Sequence, residues 1–188
     1  FRNFATLPAN LGAYFDVMLQ HADKPFAVYR DERYTFSEGH QHSAELGAAL
    51  VARFNVTKGD RVAILSRNNP QWLMSFIAAT SVGAVAVPMN AWWTTGELDY
   101  GFEDSGAKVV IADRTRIELL LPIAAKHGLR IIAIDDCSNL EGDITAFAQL
   151  LQEFSQASMP SVDVSLDDHA TIMYTSGSTG HPKGALSS

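Results

Sequence analysis

The chain has 188 residues, 47% of them apolar, enough to bury the core of one domain or a large subdomain; its net charge of −7 and scattered basic residues exclude the clustered cationic face that duplex nucleic acid requires. The most apolar window, Phe76 to Met89, is too short to span a bilayer and is interrupted by Thr80, Ser81, Gly83 and Pro88, so no transmembrane segment is expected. A single cysteine, Cys137, has no internal disulfide partner, and Phe1 to Asn10 lacks the layout of a signal peptide, so a reducing, cytoplasmic location is expected.

In chain order, Ala27 to Tyr29 and Arg33 to Phe36 flank Asp31-Glu32 and predict a small hairpin. A helix follows from about Ser37, its expected N-cap, to Phe54, with Ala44, Ala48, Val51 and Ala52 apolar. Thr57 to Asp60 reads as a turn and Arg61 to Leu65 as a short buried strand. Asn69-Pro70 opens a helix to about Ser81, with proline in its first turn. Ala84 to Pro88 is the next strand, and Thr94 or Thr95 caps a helix to about Asp104. Val109 to Ala112 predicts a strand, Arg116 to His127 a helix, Ile131 to Ile134 a strand and Ala146 to Phe154 a helix. Residues 155–168 are polar and carry Pro160, and Ala170 to Tyr174 is the last expected strand.

Short apolar strands separated by helices imply βαβ units. The expected fold is α/β, a mainly parallel sheet with helices on both faces. The expected division is an α/β subdomain over 1–154, a linker over 155–168, and the start of a further subdomain over 169–188.

The most informative stretch is Tyr174-Thr175-Ser176-Gly177-Ser178-Thr179-Gly180-His181-Pro182-Lys183-Gly184. Glycines at 177, 180 and 184 let the backbone adopt positive-φ conformations and come close to a ligand. Hydroxyls at 175, 176, 178 and 179 and the ammonium of Lys183 supply donors, so the loop can wrap phosphate oxygens. It is not a Walker A loop: four residues after Gly177 comes Pro182, and Lys183 is followed by Gly184. A flexible Gly/Ser linker is the plainer reading. The strand immediately before it, and a lysine without any acidic residue, favour anion binding.

Other conspicuous residues have plainer explanations. His40 and His42, two apart on a helix, point to different faces and read as solvated surface. Glu97 and Asp99 suit a helix N-terminus, and Glu103 and Asp104 a wet face. Trp92-Trp93 reads as packing within the fold or a subunit contact, which leaves room for a homo-oligomer. Cys137 follows Asp135 and Asp136, whose charges raise a thiol pKa, which argues against a catalytic role.

The 174–184 stretch resembles the phosphate-loop signature of the adenylate-forming superfamily (acyl- and aryl-CoA synthetases, peptide-synthetase adenylation domains, beetle luciferases), with Ser178 replacing a threonine. Tyr34-Thr35-Phe36-Ser37-Glu38 and Gly83-Ala84-Val85-Ala86-Val87-Pro88-Met89-Asn90 resemble two weaker boxes of that family. Lys58 to Ala63, and Glu97-Leu98 through Asp104 to Lys108, match in kind. The resemblance implies the N-terminal part of an ATP-dependent acyl-CoA synthetase, with ATP, Mg²⁺ and coenzyme A as co-substrates and a carboxylic acid, expected to be a fatty acid, as substrate. It implies that Thr175, Ser176, Gly177, Ser178, Thr179 and Gly180 grip the phosphates, that Thr175 also touches Mg²⁺, and that Lys183 is the catalytic cation. The family's adenine-contacting segment, its Mg²⁺-holding glutamate and its C-terminal lid would lie beyond Ser188, so these 188 residues alone are expected to be inactive. An adenylating domain that loads a carrier protein, and a non-catalytic nucleotide-binding module, are the alternatives.

Overall fold

The computed structural model describes residues 8–175 and 182–188. A short helix α1 (Leu11–Phe15) and a 3₁₀ turn (Asp16–Gln20) precede β1 (Pro25–Tyr29) and β2 (Glu32–Thr35), which pair antiparallel as the expected hairpin. Helix α2 (Phe36–Ala52) is capped by Thr35, not by Ser37 as the sequence reading had it. The Thr35 hydroxyl accepts from the Glu38 N–H while the Glu38 carboxylate accepts from the Thr35 N–H, and this reciprocal box needs a glutamate three residues on. Ser37 has His40 there and cannot form it.

The expected alternation then follows: β3 (Arg61–Leu65), α3 (Pro70–Ser81), β4 (Val85–Pro88), α4 (Thr95–Ser105), β5 (Val109–Ala112), α5 (Arg114–His127) and β6 (Arg130–Ala133). Helix α3 begins where Asn69 caps it, with Pro70 at its first position. Helix α5 starts two residues before the expected Arg116 because Asp113 accepts from the Arg116 N–H. The chain continues through β7 (Ile144–Ala146), α6 (Phe147–Glu153), β8 (Thr171–Thr175) and β9 (Lys183–Ser187). Strands β7 and β9 were not expected.

One seven-stranded sheet results, in the order β7-β6-β5-β3-β4-β8-β9, parallel throughout except that β9 runs against β8. From β3 the chain first steps to β4 on one side, then crosses back past β3 to β5 and β6. Parallel crossovers are right-handed, so opposite directions of travel put the helices on opposite faces. One face packs Val62, Ile64, Ala86, Val109, Ile111 and Ile132 against α2, α3 and α6 through Leu46, Leu50, Met74 and Leu150. The other packs Ala63, Leu65, Val87, Val110, Ala112 and Ile131 against α4 and α5 through Leu98, Phe102, Ile117 and Leu120. Alternate residues of the same strand thus enter different cores, which is why these strands are apolar without interruption. Each fully buried Leu or Ile contributes roughly 1.5–3 kcal/mol.

Residues 155–168 contain no helix or strand, and they are strapped to the body along their length. Buried Glu45 accepts from the Gln156 N–H at 2.9 Å, Gln41 donates to the Ala157 carbonyl, and Asn10 donates to the Val164 carbonyl. Lys58 donates to the Asp163 carbonyl and pairs with Asp168 at 2.6 Å. His42 also serves this cluster, its Nδ1 lying 3.0 Å from Glu45, while His40 pairs with Asp16 at 3.0 Å. Both histidines are half-buried and partnered, where solvated surface was expected. The strap delivers the chain to β8, which lies between β4 and the edge strand β9.

Candidate functional site

The carboxyl ends of β3, β4, β5, β6 and β8 all open on one edge of the sheet. Because β3 leads to α3 on one face and β4 and β5 lead to α4 and α5 on the other, the loops part there and leave a crevice. This is where ligands bind in open α/β sheets. Asp113 holds the crevice floor: it caps α5, accepts the Arg67 N–H at 3.1 Å, and pairs with buried Arg116 at 3.2 Å. Arg116 in turn donates to the Ala91 carbonyl at 2.9 Å, fixing the loop after β4. A cleft of about 620 Å³ follows, lined in part by Arg30, Arg67, Trp92, Trp93, Arg116 and Asp135. Trp92 is 74% exposed, with the Arg67 guanidinium 4.2 Å from its ring centroid. Such a surface can stack a planar group and attract an anion.

Trp93 turns the other way, into the core. It sits against Gly101 of α4 and meets the ring of Tyr174 edge-on at 5.3 Å. The paired tryptophans of the sequence therefore do different work, one packing and one facing solvent. Tyr174 donates from Oη to Asp104 Oδ2 at 2.6 Å. Burial, then the Asp104 carboxylate, push its phenol pKa upward, so it remains a donor at neutral pH. Asp104 was assigned to a wet face in the sequence; it is exposed, yet its carboxylate is used.

Thr175 ends β8 and Lys183 begins β9, and the two are direct partners in the antiparallel register. The Thr175 hydroxyl lies 3.5 Å from the Lys183 carbonyl, a long contact that leaves it able to turn toward a ligand. The structure therefore brings together the first and last of the expected site residues across the mouth of a hairpin. Ser176, Gly177, Ser178, Thr179 and Gly180, the remaining expected phosphate contacts, lie outside the described residues. Gly184 has a different role from the one expected: it sits inside β9, where a Cβ would lie 2.9 Å from Ile172 Cγ2. A close strand contact, not a positive φ, requires glycine there.

No group of three His, Cys, Asp or Glu side chains converges on a cation site among the described residues. Thr175 offers one neutral oxygen, which suits Mg²⁺ only as an addition to oxygens that a nucleotide carries. Cys137 is free and buried, and burial is the main cause that pushes its thiol pKa up, ahead of Asp135 and Asp136. No helix among the described residues is long and apolar enough to cross a membrane. The residues that sequence reasoning missed are Asp104 and Trp93 as partners of Tyr174; nothing in local spacing signals a pairing seventy residues apart.

Comparison with known proteins bears on the fold and the family. Residues 15–188 match the family model described as AMP-binding enzyme. The chain is 31% identical over 171 residues to 4-hydroxybutyrate–CoA ligase 2 of Metallosphaera sedula, covering 87% of this chain and 31% of that protein. It is 38% identical over 152 residues to a feruloyl-CoA synthase of an Amycolatopsis species, covering 81% and 28%. The inhibitor-bound N-terminal domain of FACL13 from Mycobacterium tuberculosis superposes with a TM-score of 0.81 at 30% identity, over 95% of this chain and 44% of that one. The chain spans about a third of the length of these curated relatives. With the match running over nearly its whole length, the chain belongs to the AMP-binding enzyme family.

Proposed function

We propose that the full-length protein is an AMP-forming acyl-CoA synthetase. It activates a carboxylic acid as an acyl-adenylate with release of pyrophosphate, then passes the acyl group to the thiol of coenzyme A. The observation that carries this reading is the β8–β9 hairpin, which sets Thr175 and Lys183 opposite each other at the carboxyl edge and flanks the hydroxyl-rich loop between them. Two anions, a carboxylate and the α-phosphate of ATP, must approach in the first step. Donors and a cation on the β- and γ-phosphates reduce the repulsion and stabilise the leaving pyrophosphate. On this reading residues 175–180 grip those phosphates, Thr175 adds one oxygen to a Mg²⁺ carried by the nucleotide, and Lys183 supplies positive charge.

The acid is proposed to be a fatty acid; the relatives' names, 4-hydroxybutyrate and feruloyl-CoA ligases, place hydroxy and aromatic acids beside it as candidates. We further propose that the division at 155–168 marks a subdomain boundary in the longer protein, that the 188 residues alone are inactive, and that the enzyme is cytoplasmic, the last in keeping with a free, buried Cys137. The test is ATP–pyrophosphate exchange by the full-length chain over fatty, hydroxy, aromatic and amino acids, followed by coenzyme A addition to detect a thioester. Exchange with none of these acids would refute the proposal. Lys183→Met is expected to slow adenylation about 100-fold, the scale of losing one charge-stabilising donor; an unchanged rate would remove Lys183 from the mechanism.

A further inference from the structure

We propose that Asp104 is a positioning residue for the phosphate loop, acting through Tyr174. The proposal rests on the functional reading above and concerns how the loop is aimed.

Strand β8 meets the body of the sheet through a single registered pair, Ala86 with Thr171, supported by the Ala86 N–H donating to the Ala170 carbonyl at 2.9 Å. On its other side it pairs with β9 at five positions, from Thr171 with Ser187 to Thr175 with Lys183. The loop-bearing hairpin thus has its backbone ladder to the sheet only at its base, and beyond it β8 is held by side chains. Two-stranded ribbons are marginal by themselves. From Thr171 to Thr175 the strand rises about 13 Å, so a small tilt at the base becomes a displacement of an ångström or more at Thr175.

Ile172 packs against the core on the α4–α5 face, and two polar side-chain ties act beside it. Lys58 with Asp168 fastens the strap just before β8 begins and constrains the base. Nearer the loop, Tyr174 holds the strand one residue before Thr175: its Oη reaches Asp104 Oδ2 at 2.6 Å and its ring meets Trp93. The anchor is rigid. Asp104 lies in the last turn of α4, which is seated by fully buried Leu98 and Phe102 and closed by Gly106 in the left-handed conformation. The contact joins the loop-proximal end of β8 to a helix packed in the main core, across a ribbon that the backbone ladder holds only at its far end. The Tyr174 hydroxyl also lies 3.4 Å from the Gly101 carbonyl, a longer contact, so Asp104 supplies the nearer acceptor; that role needs an acceptor at 104 and does not require a negative charge.

That distinction defines the test, made in the full-length chain by ATP–pyrophosphate exchange at saturating acid, with thermal stability measured in parallel. Tyr174→Phe keeps the ring against Trp93 and removes only the hydroxyl; Asp104→Leu removes the nearer acceptor and leaves only the longer contact to the Gly101 carbonyl; Asp104→Asn keeps an acceptor without the charge. Tyr174→Phe and Asp104→Leu are expected to raise the ATP KM up to about tenfold, a loss on the scale of one hydrogen bond, with less change in kcat and none in the acid KM. Asp104→Asn is expected to stay within about twofold of wild type. The proposal is overturned if Tyr174→Phe matches a wild type that exchanges normally, or if Asp104→Asn fails as Asp104→Leu does while both lose stability in step. A wild type that neither binds nor exchanges ATP overturns the functional reading itself, and this proposal with it. Should Tyr174→Phe not fold, the Asp104 pair decides.

Discussion

Gly101 shows how one atom can govern the neighbourhood of a site. A Cβ there would lie 2.8 Å from Trp93 Cζ3, closer than real contacts allow, and Trp93 in turn supports Tyr174. Gly101→Ala is expected to destabilise the fold by about 1–3 kcal/mol through overpacking, measured by denaturant titration. Asp113 carries more than its cap. It neutralises Arg116, whose side chain is 9% exposed, and without it that cation would stay buried and unpaired. Asp113→Ala is expected to cost about 3 kcal/mol, read from the same titration. A loss under about 1 kcal/mol would mean that solvent reaches Arg116 after all.

Among the elements, the starts of α3 and α4 were legible from their caps, while α1 was not expected and α2 and α5 begin earlier than their apolar patterns suggest. Thr94 and Glu97 form the same reciprocal box on α4 that Thr35 and Glu38 form on α2. Thr94→Ala is expected to cost about 1 kcal/mol by thermal denaturation. The segment from 155 to 168 is the opposite case. Its polarity and Pro160 suggest a loose connection, yet Glu45 and Gln41 of α2, Asn10 at the cap of α1 and Lys58 in the turn before β3 hold it. Those partners lie more than a hundred residues away, beyond the reach of any local pattern. Glu45→Leu strips the Gln156 N–H and both neighbouring side chains of their acceptor. It is expected to make 155–168 the first site of limited proteolysis; unchanged cleavage would show that apolar packing of Met159 and Val162 suffices to hold the strap.

At the scale of the whole molecule, the titrating carboxylates act in one direction. Glu38 and Glu97 are held below the usual range by the N–H groups they cap, Asp136 by the Ser138 N–H, Asp99 by Lys126 and then His127, and Asp168 by Lys58. A carboxylate whose folded pKa is depressed contributes stability that is present above its unfolded pKa and lost as pH falls through the folded one. The melting temperature is therefore expected to be level above about pH 5 and to fall below about pH 4. A melting temperature that rises on acidification would contradict these assignments.

The sequence by itself determined the α/β class, the order of all but two strands, the starts of α3, α4 and α6, and the loop that identifies the family. These are local matters: apolar runs, caps at fixed spacing, and a contiguous motif whose chemistry needs no partner to be recognised. β7 and β9 escaped because three and five residues of weak pattern become strands only when a neighbouring edge offers hydrogen bonds. Tertiary structure alone decided that the crossovers part at β3, that β8 registers with β4 at one residue pair, and that Tyr174 donates to Asp104. Each of these joins residues distant in the chain, and a contact of that kind exists only once the cores on both faces of the sheet have closed.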